Sequence, residues 1–174
     1  MNIFNKAVES HGGVGGIGKR KTSGGKVGGF ADLDVYQESY RAMILVFKNI
    51  FPILPNDEKY DLRDQLKRSV KAVPRLIAEG HSKRHQNKGF QKYIDDAHAE
   101  SNETIVSLNQ VKDLYATVNH KLLCEKLIDT YDKISRQLHN LAASWERFHS
   151  YKHEQRRTPY VSPNANDRRP TQLL

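Results

Sequence analysis

A glycine-rich run near the start of the chain, GGVGGIGKRKT at residues 12–22, contains the residue types that bind nucleotide phosphates. From Gly13, four residues lead to Gly18 and Lys19, which is the spacing of a phosphate-binding loop. The next residue is Arg20, whereas Mg²⁺ binding requires a Ser or Thr hydroxyl at that place. Further glycines follow and would destabilise the helix that such a loop needs. We therefore predict a flexible basic arm rather than a nucleotide site.

Arg75 and His81, which stand six residues apart, are a second candidate for chemistry. Their spacing resembles the active-site motif of HEPN ribonucleases, which are also helical bundles. The same spacing recurs at Arg147 and His153, and Leu76 stands where that family usually has a polar residue. A short motif that occurs twice in a chain rich in Arg and His is weak evidence for catalysis. We expect no catalytic residues, and a ribonuclease is an alternative.

Two histidine pairs, His81 with His85 and His149 with His153, have the i, i+4 spacing that can place two metal ligands on one helix face. Neither pair has a clear third ligand. Cys124 is the only cysteine, which excludes both an internal disulfide and a metal site built on thiolates. We predict neither a metal site nor a cofactor.

Positive charge is concentrated in one part of the chain. The net charge is +8, and residues 59–92 hold ten Lys or Arg against three Asp or Glu. Phosphates are bound by long cationic donors that are closely spaced on a rigid support, so this segment predicts contact with RNA or DNA. The alternative is a solvated helix face, on which carboxylates alternate with cations. For the second predicted helix we count only Asp61 and Asp64 as offsetting carboxylates, which favours the phosphate-binding interpretation. The predicted nucleic-acid-binding residues are Arg63, Lys67, Arg68, Lys71, Arg75, Lys83, Arg84, Lys88 and Lys92.

Four segments in which apolar residues recur every three or four positions are expected to position these cations. The second predicted helix begins after Asn56 or Asp57 and ends at Gly80, the third begins after Asn87, and the fourth begins after Asn119. No segment alternates with the period of a strand, so we predict an all-α, antiparallel up-down four-helix bundle. The core side of the first helix is predicted to hold Leu33, Tyr36, Tyr40, Met43, Phe47, Ile50 and Leu54.

The first predicted helix has more apolar residues than one buried stripe requires. Ile44, Leu45, Val46 and Phe51 lie off the stripe, and a helix that is apolar on several sides is buried on several sides. We therefore predict that these four residues form an oligomer interface or contact a protein partner. Pro74 interrupts the second helix, where we expect a bend that is compensated by packing.

Both ends of the chain differ in composition from its middle. Nine of the eleven glycines lie between residues 12 and 29, and three of the six prolines lie between residues 158 and 174. We predict a flexible basic arm over residues 1–31, the bundle over 32–151 and a disordered tail over 152–174. No apolar run has the length of a signal peptide or of a membrane span, so we expect a cytoplasmic protein without membrane contact.

Several segments together resemble one family of helical proteins. They are residues 34–40 (DVYQESY), 60–68 (YDLRDQLKR), Val73-Pro74 leading into 77–80 (IAEG), then Phe90 and Glu103. They resemble the four helix bundle protein family, whose members include proteins encoded in intervening sequences of large-subunit ribosomal RNA genes and the accessory variability proteins of diversity-generating retroelements. The resemblance covers about 120 residues.

This resemblance implies a four-helix protomer that assembles into a ring, a pentamer, with a basic surface that binds nucleic acid. The accessory branch binds the reverse transcriptase of its element and the template RNA without chemistry of its own. Residues 141–145 (LAASW) followed by Arg147 look like that branch, whereas residues 77–80 look like the ribosomal group. We expect the accessory role, with a ribosomal-type RNA-binding protein or a protein-binding scaffold as alternatives.

Overall fold

The computed structural model describes residues 28–86 and 88–155, with side chains up to residue 147. Within this part of the chain every regular element is helical, which confirms the predicted all-α class. Its four long helices are α1 (Asp34–Leu45), α2 (Leu62–Ser82), α3 (Gly89–Leu114) and α4 (Val118–Gln155). α1 continues through a π-helical turn, Val46–Ile50, into a 3₁₀ turn, Phe51–Ile53.

The four helices pack as the predicted bundle. α3 packs along both α2 and α4, while α1 lies against α2 and α4. α2 and α3 are antiparallel, since the Tyr115 hydroxyl just after α3 donates a hydrogen bond to Glu58 just before α2. α3 and α4 are antiparallel as well, since Phe90 at the start of α3 packs against Trp145 late in α4. Short links and one shared core are what an up-down bundle requires.

The predicted apolar stripes of α2, α3 and α4 form the core. Leu66, Val73 and Ile77 of α2 are fully buried, as are Ile94 and Leu108 of α3. On α4, the fully buried positions include Leu127, Tyr131, Ile134 and Leu138. These helices keep a regular α-helical period, so residues three and four apart share the buried face.

The buried side of α1 lies one residue earlier in the chain than the sequence predicts. Tyr36, Tyr40 and Met43 are only half-buried. The π turn explains the difference, because a turn closed by i→i+5 bonds holds more residues than an α turn and changes the phase of the stripe. The buried positions of this segment are Val35, Ser39, Ala42, Leu45, Val46, Ile50, Phe51 and Leu54.

Three of the four residues predicted to form an oligomer interface are buried inside the protomer. Leu45, Val46 and Phe51 are 6%, 0% and 7% exposed, so the protomer itself covers them. The reason for assigning these three residues to an interface therefore no longer holds. Ile44 remains half-buried at the surface.

The ends of α2 also differ from the prediction. Gly80 lies inside the helix rather than at its end, because α2 continues to Ser82. A Cβ at Gly80 would come within 3.1 Å of the Tyr93 Cβ, so this glycine permits the close approach of α3. At the start of α2, the Glu58 carboxylate accepts the Leu62 N–H at 3.2 Å, a role that was predicted for Asn56 or Asp57.

Two further sequence predictions concern the bend at Pro74 and the helix cap at Asn87. Pro74 is buried within α2, which continues past it to Ser82, and the predicted bend stays a prediction. Asn87, the predicted cap of α3, lies outside the described residues, and Lys88 precedes the helix with a left-handed φ of 65°.

Buried hydroxyls join the three helices that pack most closely. The Ser69 hydroxyl of α2 lies 2.9 Å from the Thr104 hydroxyl of α3. The Ser101 hydroxyl donates to the Tyr131 carbonyl of α4 at 3.1 Å and lies 3.0 Å from the Ser135 hydroxyl. Since buried polar groups need partners, these bonds fix the register of α2, α3 and α4.

Candidate nucleic-acid interface

One face of α2 presents a row of cations at a regular spacing. Arg63, Lys67, Lys71 and Arg75 stand four residues apart, and all but the half-buried Arg63 are exposed. Four residues of α-helix rise about 6 Å, so the row extends over about 18 Å of a rigid helix. The opposite face of α2 is locked into the core, which holds the row in place. We call these four residues and Arg68 the basic face.

Two members of the basic face are paired with carboxylates. Arg68 lies 3.3 Å from Asp64, and Arg75 lies 3.2 Å from Glu79. The sequence prediction overlooked Glu79 as a counter-charge. Exposed ion pairs of this kind contribute about 0–1 kcal/mol each, so a phosphate can compete for either arginine.

Lys67 and Lys71 are the most available cations of the basic face. Both are exposed, and within the described residues neither has a carboxylate oxygen within the 4.0 Å of an ion pair. A phosphate that binds to them displaces water rather than a protein partner. These two lysines are therefore expected to contribute most to phosphate binding.

The loop after α2 and the first turn of α3 carry the rest of the predicted cations. Arg84, Lys88 and Lys92 are exposed and Lys83 is half-buried. The Arg84 guanidinium lies 2.9 Å from the His81 imidazole. Burial, and secondly the charge of Arg84, lower the pKa of His81, while Asp32 opposes this. The contribution of this loop to nucleic-acid binding stays a prediction.

Arg75 and His81, which have the spacing of the ribonuclease motif, contact different partners in the structure. Arg75 bonds Glu79, whereas His81 contacts Arg84. Six residues of a regular α-helix turn the chain by about 600°, so the two side chains point about 120° apart. The second occurrence of the spacing ends at His153, whose side chain lies outside the described part.

A comparison with known families identifies the chain. Residues 31–140 match the model of the 23S rRNA-intervening sequence protein family. The chain belongs to this family. The match begins before α1 and ends within α4, so it contains the whole basic face. It also confirms the resemblance seen in the sequence. Comparison with curated proteins gives no match.

In this 23S rRNA-intervening sequence family member, a groove of about 740 Å³ borders the basic face. Tyr36 and Tyr40 of α1 line it opposite Lys67 and Lys71 of α2. The sequence prediction missed the two tyrosines by placing them in the core. The signal that could have identified them is their type, because a phenol at i and i+4 of a predicted core stripe carries a hydroxyl that needs a partner or solvent.

Glu100 of α3 also lines this groove. Its pKa is raised above the ordinary value, first by burial and then by the nearby Glu103, while Arg75 and Arg68 oppose the shift. The sequence assigned no chemistry to Glu100. The structure places its carboxylate beside the arginines of the basic face.

Three further observations concern sites of other kinds in the family member. Within the described residues, no group of three or more His, Cys, Asp and Glu side chains is arranged to hold a metal ion. No helix of that part has the length and apolarity needed to cross a membrane. Cys124 is fully buried, and burial raises the pKa of its thiol to about 11, which leaves it unreactive near neutral pH. The glycine-rich run at 12–22 lies outside the described residues.

Proposed function

We propose that this protein binds RNA without enzymatic activity, through phosphate contacts to the basic face of α2. The observation that carries the proposal is the pair of exposed lysines, Lys67 and Lys71, one helical turn apart on a rigid support and without carboxylate partners among the described residues. Cations in this arrangement attract a nucleic acid of any sequence, because the backbone phosphates are the same whichever bases they carry.

RNA is the favoured polyanion because the description of the matched family names an intervening sequence of 23S rRNA. Binding is expected to weaken steeply with salt, since each engaged phosphate releases a condensed counterion. Sequence selectivity is expected to be weak.

The test is a double charge reversal, Lys67→Glu with Lys71→Glu, in the full chain. Binding of a labelled RNA is followed by fluorescence anisotropy over a salt series that includes about 0.1 M, where phosphate contacts still dominate affinity. We expect the affinity to fall by about a hundredfold and the slope of log K against log salt to decrease by about two, one for each lost phosphate contact. Denaturing gels of the same samples reveal strand cleavage, which would contradict the non-enzymatic part of the proposal.

A matched control changes the same charge elsewhere. Lys48 and Lys121 are exposed and lie outside the basic face, so Lys48→Glu with Lys121→Glu alters the net charge equally. The proposal requires the control to bind nearly as well as wild type. Equal losses in the two double variants would mean that net charge, rather than this face, attracts the RNA.

The finer roles implied by the resemblance belong to the same proposal. Support of a reverse transcriptase in the cytoplasm is a second candidate function, and residues 141–145 followed by Arg147 favour it. A pull-down with a purified retroelement reverse transcriptase tests this role.

Assembly into a pentameric ring is supported by large apolar side chains exposed around the α3–α4 turn, namely Leu114, Val118 and Leu122. Native mass spectrometry should then give five times the chain mass, and a single-chain mass would exclude the ring.

A further inference from the structure

The groove between α1 and α2 combines an aromatic wall with a cationic wall. Phe30, Tyr36, Tyr40 and Met43 line one side, and the exposed members of the basic face line the other. It is open to solvent and has a volume of about 740 Å³. The groove therefore offers aromatic rings beside the cations, whereas the proposed phosphate binding uses only the cations of the basic face.

The aromatic wall is a ladder of rings. Tyr36 and Tyr40 lie nearly parallel, with centroids 6.1 Å apart and 26° between their planes. Phe30 meets Tyr36 edge-on at 4.9 Å and is 37% exposed. Each ring is held by its neighbour yet remains partly open to the groove. Rigid, partly exposed rings are the platforms on which unpaired nucleobases stack.

Small side chains line part of the α2 side of the groove. Ala72, Pro74 and Ala78 of α2 line it where larger residues would fill the space against α1. Ala72 and Pro74 are buried, so the open volume lies above a closed apolar floor. An apolar floor beside partly exposed rings suits a flat aromatic group.

The charges around the groove favour a polyanion. Lys67, Arg68, Lys71 and Arg75 line it, against Asp64 and Glu100. Asp64 is already paired with Arg68. A phosphate backbone would be attracted to such a surface.

We infer that this groove binds single-stranded RNA by stacking unpaired bases on Tyr36 and Tyr40 while Lys67 and Lys71 hold the adjacent phosphates. The inference rests on the RNA binding proposed above and adds a substrate class to it. Bases within a duplex are already stacked and paired, so they cannot enter the groove. The protein should therefore prefer unpaired RNA to duplex RNA of the same length.

The experiment compares a single-stranded RNA that lacks structure with an RNA duplex, each labelled for anisotropy, on full-length variants. Tyr36→Leu with Tyr40→Leu keeps the apolar volume of the wall and removes the stacking rings. We expect its affinity for the single strand to fall at least about tenfold, since each stacked base contributes substantially to binding. Its affinity for the duplex and its salt dependence should not change, because the lysines remain.

Two controls separate stacking from other causes. Tyr60→Leu removes a tyrosine that is 83% exposed and does not line the groove, and it should leave both affinities unchanged. Ala78→Leu narrows the groove while keeping every ring and charge, and it should lower single-strand affinity alone. Circular dichroism of each variant confirms that the bundle is folded.

The outcomes are distinguishable. Single-strand affinity equal to wild type in both groove variants would overturn the stacking inference while leaving phosphate binding intact. A changed oligomer mass in the groove variants, with unchanged RNA affinity, would identify the groove as a protein interface and would overturn the inference too. Failure of wild type to bind any RNA at low salt would remove the proposed function itself.

Discussion

The two sides of the bundle are built differently. On one side, α2, α3 and α4 pack along their lengths, and buried hydroxyls join them at Ser69, Thr104 and Ser101. On the other side, α1 is shorter, and a groove open to solvent is lined by residues of α1 and α2. The closely packed side is therefore the rigid support on which the open side presents its rings and cations.

The change expected to destabilise the protein most is the shortening of a buried side chain on the closely packed side. Leu108 of α3 is fully buried, so Leu108→Ala loses its packing and leaves a cavity. We expect the free energy of unfolding to fall by about 2–5 kcal/mol, as measured by urea denaturation. Val106→Ala is the matched control on the same helix, because Val106 is 57% exposed, and it should cost less than about 0.5 kcal/mol. Similar losses in both variants would contradict the assigned core.

A smaller effect is expected from the buried hydroxyls. Ser101→Ala removes the bond to the Tyr131 carbonyl and one contact of Ser135, which keeps Asn102 as a partner at 3.0 Å. We expect a loss of about 1 kcal/mol in urea denaturation, typical of one buried hydrogen bond. Ser82→Ala, which removes an exposed hydroxyl on α2, should not destabilise the protein. A stabilised Ser101→Ala variant would mean that these hydroxyls do not hold the closely packed side together.

The smallest effect concerns the attachment of α1 to α4. Lys133 of α4 lies 2.8 Å from Glu38 of α1, and the lysine side chain is half exposed. Lys133→Met should lower the free energy of unfolding by no more than about 1 kcal/mol, as expected for a solvent-screened pair. High salt should reduce the difference between variant and wild type. A loss comparable to that of Leu108→Ala would show that α1 is anchored by charge rather than by its apolar face.

How far the sequence could predict the site depends on the residue considered. Lys67 and Lys71 were identified correctly as exposed, because they lie opposite a regular apolar stripe on α2. The pairing of Arg75 was missed, since Glu79 was left out of the charge count although it stands one helical turn away. Tyr36 and Tyr40 were placed in the core, because the periodicity of the sequence assumes a constant number of residues per turn.

What the sequence determined by itself is the set of helices and the buried faces of α2, α3 and α4, because a regular helical period needs no information from distant residues. The tertiary structure decided three further features. The π turn at Val46–Ile50 set which side of α1 is buried, and Gly80 became a point of close helix contact rather than a helix end. The groove brings Ala72 and Ala78 of α2 together with Tyr36 and Tyr40 of α1. Such a site depends on which faces of separate helices oppose each other, and a local pattern in one segment does not contain that information.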